Sequence, residues 1–89
     1  MQIENLEKSD VSLLRRLQPT GWDDIMPIFK FYVSSKFCFP IKVKIKNQIV
    51  GVGVNIVHDE VVWLAHIIVD SNHRNKGIGG LITKTLLDH

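Results

Sequence analysis

The residues best suited to chemistry lie in one stretch, Val61 to His89. An apolar run, Val61-Val62-Trp63-Leu64-Ala65-His66-Ile67-Ile68-Val69, leads into a polar, glycine-rich segment, Asp70-Ser71-Asn72-His73-Arg74-Asn75-Lys76-Gly77-Ile78-Gly79-Gly80, and Leu81 to Leu87 follows with helical spacing. This pattern predicts a strand, a loop and a helix starting around Gly77 to Gly79. A helix N-terminus carries unpaired N–H groups and partial positive charge, which makes it a site for phosphate. Glycines let a diphosphate come close to the backbone, and Arg74 and Lys76 put cationic charge at the same place. The strand before the loop offers main-chain groups to a ligand's amides.

Two familiar phosphate loops are excluded. There is no G-x-x-x-x-G-K-[ST], and the glycines at 77, 79 and 80 do not spell G-x-G-x-x-G. No pair of histidines has metal-ligand spacing and Cys38 is the sole cysteine, so neither a metal site nor an internal disulfide is expected.

The elements that must hold this loop belong to one small domain of 89 residues, 45% hydrophobic and 22% charged. A net charge of +2 is too small and too mixed to indicate nucleic acid. No signal-like start or membrane-length apolar run appears, and the expectation is a soluble cytoplasmic protein without membrane or nucleic-acid partners.

Gln2 to Leu6 reads as a short strand, and Ser9 or Asp10 as the cap of a helix to about Leu17. In that helix Val11, Leu14 and Leu17 share the inner face, and Arg15 and Arg16 point away. Thr20 with Asp23 matches a capping box ahead of a second helix through Ile25, Ile28, Phe29, Tyr32 and Val33. Pro27 requires that helix either to start later, near Asp24, or to bend.

Pro40 closes a loop. Ile41 to Lys46 then alternates apolar and basic, with Lys42, Lys44 and Lys46 on a solvated face that discourages edge pairing. Asn47-Gln48 is the expected turn into a strand from Ile49 to Val57. On it Val50, Val52, Val54 and Ile56 share one face, and Gly51 and Gly53 admit a close neighbour on the other. His58-Asp59 turns into the last strand, whose two apolar faces suit a central position. The fold class is α/β (α+β), a mixed, mainly antiparallel sheet with flanking helices.

Ile67 to Gly80 resembles, position by position, the motif apolar-x-Val-Asp-x-x-x-[RQ]-x-x-G-x-[GA] of the GNAT superfamily of acyl-CoA-dependent N-acyltransferases. The order of strand, two helices, three antiparallel strands, loop and helix is similar to the front half of that fold. The resemblance implies acetyl-CoA as acyl donor and an amine, on a small molecule or a protein, as acceptor. Ile67, Ile68 and Val69 would bond the pantetheine arm. Asn75, Lys76, Gly77, Ile78, Gly79 and Gly80 would hold the diphosphate, with Arg74 opening the loop.

The sequence departs from the family in two places. Family domains continue past this helix, so residues 1–89 are expected to form a single partial domain, incomplete for catalysis. Trp63 occupies the position where several members carry a Glu or His base. Glu60 and His58 are candidate substitutes, and His66 lies nearby, although strand alternation sets it on the face opposite Trp63 and Ala65. His66 otherwise reads as a hydrogen-bonded core histidine, His58 and His73 as loop residues, and Trp22 and Phe29 as core or cleft lining. Tyr32 is the only tyrosine and sits in the wrong half for the family's acid.

The resulting expectation is an acetyl-CoA-dependent N-acetyltransferase domain that keeps the diphosphate site, the alternative being a non-catalytic acyl-CoA-binding or protein-interaction module. An open edge along 61–69 would also permit a homodimer.

Overall fold

A computed structural model describes residues 1–88. A four-stranded antiparallel sheet has the order β1 (Gln2–Asn5), β2 (Cys38–Ile45), β3 (Gln48–His58), β4 (Val61–Val69). One face is covered by a 3₁₀ helix, Lys8–Leu17, and by α1, Met26–Ser34; the other is covered by α2, Ile78–Leu87. Leu14, Phe29, Val52 and Val54 centre the first core layer, and Val43, Val50, Ile78, Ile82 and Leu86 the second.

Local chemistry sets several elements differently from the sequence pattern. The first helix begins at Lys8 behind Glu7, and Asp10 acts as the third residue of a capping box, its carboxylate accepting from the Glu7 N–H at 2.9 Å. No Thr20–Asp23 box forms. The Asp24 carboxylate accepts from the Met26 N–H at 3.0 Å, and α1 starts late enough that Pro27 falls in its first turn, where its missing N–H costs nothing. Pro40 lies inside β2, opposite Val54, and its carbonyl accepts from the Leu6 N–H.

The β2–β3 turn is Lys46-Asn47, one residue earlier than the pattern placed it. Both residues have positive φ, 52° and 63°, as a tight hairpin requires. Lys42 is not on a wet face. It is buried and paired with Asp10, Nζ to Oδ2 at 2.6 Å, because β1 and the 3₁₀ helix close over that side of β2. Burial is the largest single influence and disfavours the charge on each partner, but their hydrogen bond, their mutual attraction, the Glu7 N–H on Asp10 and the nearby Glu4, Glu7 and Lys44 charges together outweigh it, leaving Asp10 below and Lys42 above its ordinary pKa.

Strict alternation in β3 also fails. The register shifts between Val43 and Lys44, so Val50 is the extra residue of a bulge and turns toward α2, away from the layer of Val52 and Val54. Gly51 and Gly53 face α2. A Cβ at Gly53 would lie 2.5 Å from Ile82 Cγ2, so the glycine is what lets α2 sit down on the sheet.

β4 is not central. Among the described residues it pairs only with β3, and Val61, Val62 and Trp63 are exposed.

Candidate functional site

α2 begins at Gly77, which adopts φ +79°, a left-handed conformation that a residue with a Cβ reaches only with strain. Asn75 is also left-handed, with φ 66°. Alternating left- and right-handed residues turn successive N–H groups inward to form an anion-binding concavity. The first intrahelical bond is from the Leu81 N–H to the Gly77 carbonyl at 3.0 Å, so the N–H groups of Ile78, Gly79 and Gly80 precede the helical ladder. A Cβ at Gly80 would meet nothing within 4 Å, and one at Gly79 only Val69 Cγ2 at 3.8 Å. Packing within the protein therefore gives no reason for glycine at either position.

This helix start opens onto a cleft of about 750 Å³. Ile67, Ile68 and Val69 of β4 line it on one side, and Arg74, Asn75, Gly77, Ile78 and Gly79 at the loop end. The opposite wall is the segment from Arg16 to Trp22. The fold thus brings together eight of the ten residues expected to hold the cofactor; Lys76 and Gly80 lie beside the cleft, both exposed. The set suits a diphosphate, with free helix-terminal N–H groups, a cationic side chain at Arg74 and close backbone access.

Two side chains that position this site were not identified by the sequence pattern. Arg16, expected to point away, turns inward, bonding the Ile49 carbonyl through Nη1 and Asp70 Oδ2 through Nη2, each at 2.9 Å. Asp70 is buried and also accepts from the Asn72 N–H at 3.1 Å, capping the short 3₁₀ turn Ser71–His73 that carries the chain into the loop. That backbone bond, together with Arg16 and His73, holds its carboxyl below the ordinary pKa despite burial. The motif aspartate was the available signal; its partner lies 54 residues away.

Gln18 organises the opposite wall. Its amide nitrogen donates to the Pro19, Trp22 and Asp23 carbonyls at 3.3, 3.2 and 3.0 Å, and its oxygen accepts from the Ile25 N–H at 3.0 Å. Nothing in the spacing of the sequence marks it.

The catalytic candidates separate. His58 closes β3 and Glu60 lies in the following turn, both exposed and neither lining the cleft. His58 faces Asp59 at 3.8 Å. His66 behaves differently from the pattern. Val54 pairs with Ala65 and Val52 with Ile68, so His66 and Ile67 together face Gly53, and His66 takes φ 48°. The bulge overturns the expected alternation. His66 packs on the α1 side near Phe29 and Tyr32, the same layer as Ala65, and its Nδ1 lies 2.8 Å from Tyr32 Oη. Burial, with Cys38 nearby, raises the Tyr32 pKa and keeps the phenol neutral.

His73 lines the cleft with Nδ1 buried and unbonded, 3.5 Å from Asp70 Oδ2. Among the described residues no group of three or more His, Cys, Asp or Glu is placed to hold a metal, and no helix is long and apolar enough to cross a membrane.

Residues 3–89 match the Acetyltransferase (GNAT) family. No curated protein matches the chain. Solved structures share its fold at low identity. The ribosomal-protein-S18-alanine N-acetyltransferase from Escherichia coli superposes with a TM-score of 0.86 at 16% identity, over 98% of this chain and 57% of its own. Aminoglycoside 6'-N-acetyltransferase AAC(6')-IG from Acinetobacter haemolyticus gives 0.81 at 15%, over 98% and 69%. An aminoglycoside 6'-N-acetyltransferase complexed with coenzyme A gives 0.73 at 18%, over 97% and 53%. The chain therefore spans between about half and about two thirds of the length of these neighbours.

Proposed function

The chain belongs to the Acetyltransferase (GNAT) family, and we propose that it carries the acetyl-CoA-binding part of a cytoplasmic N-acetyltransferase that acetylates an amine. The observation that supports this most is the cleft between β4 and the Arg16–Trp22 wall, ending at the glycine-lined start of α2. Ile78, Gly79 and Gly80 would hold the diphosphate through their N–H groups, with Asn75, Lys76 and Gly77 shaping the loop and Arg74 adding charge. Ile67, Ile68 and Val69 would pair with the pantetheine amides along the open edge of β4.

When bound, acetyl-CoA supplies an activated acyl group. The chain's own contribution is to hold that group against β4, exclude water with Trp22 and the apolar strand, and present backbone N–H groups of β4 to a carbonyl oxygen. The acceptor is an amine of a small molecule or of a protein; the solved neighbours include an aminoglycoside acetyltransferase and a ribosomal-protein alanine acetyltransferase. Acceptor binding and full turnover are assigned to the longer fold that those neighbours have, and the 89-residue chain by itself is expected to be inactive or weakly active.

A second reading, an acyl-CoA-binding or protein-interaction module that transfers nothing, is favoured by the placement of His58 and Glu60 outside the cleft and by exposed Trp63 in the position of the family base. Calorimetric titration with acetyl-CoA alongside an amine-acetylation assay separates the two. Binding with turnover supports the enzyme and binding alone supports the acyl-CoA-binding module, whereas absence of binding removes both of these and leaves only a protein-interaction module.

A further inference from the structure

We propose that His66, held by Tyr32, is the acceptor-side proton acceptor of this domain. The proposal rests on the acetyl-CoA site described above.

Four observations converge on His66. Its backbone is the first: φ 48° in a strand is a costly conformation for a residue with a side chain. It persists because the bulge places two residues of β4 opposite Gly53, and Gly53 in turn is clamped by Ile82. The bulge re-aims one side chain, and that side chain is an imidazole.

The second is position. The cleft runs from the start of α2 along Val69, Ile68 and Ile67, and His66, which does not itself line it, is the next residue on the strand and touches the cleft wall through Trp22. It stands roughly 10 Å back along the strand from Val69 at about 3.3 Å per residue. A ligand with its phosphates at α2 has its acyl end directed toward this part of β4.

The third is the surroundings. Trp22, which lines the cleft, is edge-on to the His66 ring at 6.3 Å between centroids, and Phe29 and Tyr32 lie at 5.9 and 5.4 Å. The pocket around the imidazole is aromatic.

The fourth is the division of its two nitrogens. Nδ1 is engaged with the Tyr32 hydroxyl at 2.8 Å. Nε2 makes no hydrogen bond among the described residues, and His66 is half-buried rather than sealed in the core. The hydrogen bond at one ring nitrogen sets the role of the other. With Nδ1–H donating to Tyr32 Oη, the lone pair of Nε2 is unengaged and able to take a proton. In the balanced step the amine nitrogen forms its bond to the acyl carbon, and the carbon–sulfur bond breaks with its electron pair going to sulfur. The amine proton passes to Nε2 and from there to the thiolate. Tyr32 is a positioning residue: it fixes the tautomer and touches no substrate.

The test uses the 89-residue chain, its H66Q and Y32F variants, and a probe in which phenethylamine is amide-linked through an S-acetyl bridge to coenzyme A. The aromatic amine is chosen to suit the rings around His66. Nitrogen-15 shifts of the imidazole are expected to show the Nδ1–H form in the native chain and its loss in Y32F. Calorimetry is expected to give the same acetyl-CoA affinity for the native chain and H66Q. The probe is expected to bind the native chain more tightly than acetyl-CoA, and H66Q to lose about tenfold of that affinity, the worth of one hydrogen bond from the probe's amide N–H. An Nε2–H tautomer, a probe no tighter than acetyl-CoA, or equal probe affinity in H66Q overturns the proposal and leaves the acetyl-CoA site standing. Failure of the native chain to bind acetyl-CoA overturns both.

Discussion

Arg16 Nη2 donates to Asp70 Oδ2 at 2.9 Å, joining the 3₁₀ helix near the start of the chain to the residue that leaves β4 for the glycine-rich loop. The two walls of the cleft are thereby tied at one point. Asp70→Ala removes this bond and the cap of the Ser71–His73 turn, and is expected to cost about 1–3 kcal/mol in urea unfolding. Acetyl-CoA affinity should fall with it. Arg16→Met should cost less stability, because the guanidinium is partly in water.

Gly53→Ala should lower the thermal midpoint, corresponding to about 1–3 kcal/mol. The added Cβ would lie 2.5 Å from Ile82 Cγ2, a methyl fixed at the branch of the side chain that cannot swing away. Gly51→Ala should be milder. There the nearest atom, at 3.0 Å, is the terminal Cδ1 of the same isoleucine, which has a rotatable bond to move about.

Gly80→Ala separates stability from binding. A Cβ meets nothing at that site, so the substitution should raise stability by about 0.5–1 kcal/mol through helix propensity, measured as a higher thermal midpoint. Acetyl-CoA binding by calorimetry should weaken, because the methyl stands beside the free N–H groups. Gly77→Ala should weaken both, since φ is +79° there.

Lys42→Met leaves the Asp10 carboxylate without its charged partner under β1, and should cost about 3–5 kcal/mol in urea unfolding. Replacing both members with apolar residues of similar size should recover most of that loss.

The pH dependence follows from the same pair and from Asp70. Asp10 and Asp70 have lowered folded pKa values, so their contribution is present above the unfolded value of about 3.9 and is lost as pH falls through the lower folded values. Stability from urea curves should drop below about pH 4, and Asp70→Asn should flatten that drop. Lys42 has the opposite sign. Its raised pKa stabilises below the unfolded value of about 10.4, and that stabilisation is lost as pH rises through the higher folded value.

What could be read from the sequence was whatever depends on neighbours along the chain. The order of strands and helices and the loop after Val69 follow from periodicity and glycine placement, and both appear in the fold. What depends on partners far away could not be read. Lys42 alternates like a wet-face residue and is buried only because Asp10, 32 positions earlier, lies over it. Arg16 sits at an outward helical position but is captured by Asp70. Each bulge adds one residue on one strand, at Val50 and at His66, and so inverts the face assignment beyond it without altering local composition. Simple alternation therefore sets His66 opposite Ala65, whereas the bulge brings both to one face.

The bulge at His66 also limits what the free edge of β4 accepts. A strand laid along that edge needs a regular alternation of donors and acceptors, and here the alternation is interrupted between Ala65 and Ile68. The edge is thereby split into two runs, Val61 to Ala65, which is of ordinary strand length, and Ile68 to Val69, which is too short to hold a foreign strand. A strand laid along this edge would find a regular run only at the Val61 end, and the stretch that lines the cleft suits a ligand much shorter than a strand.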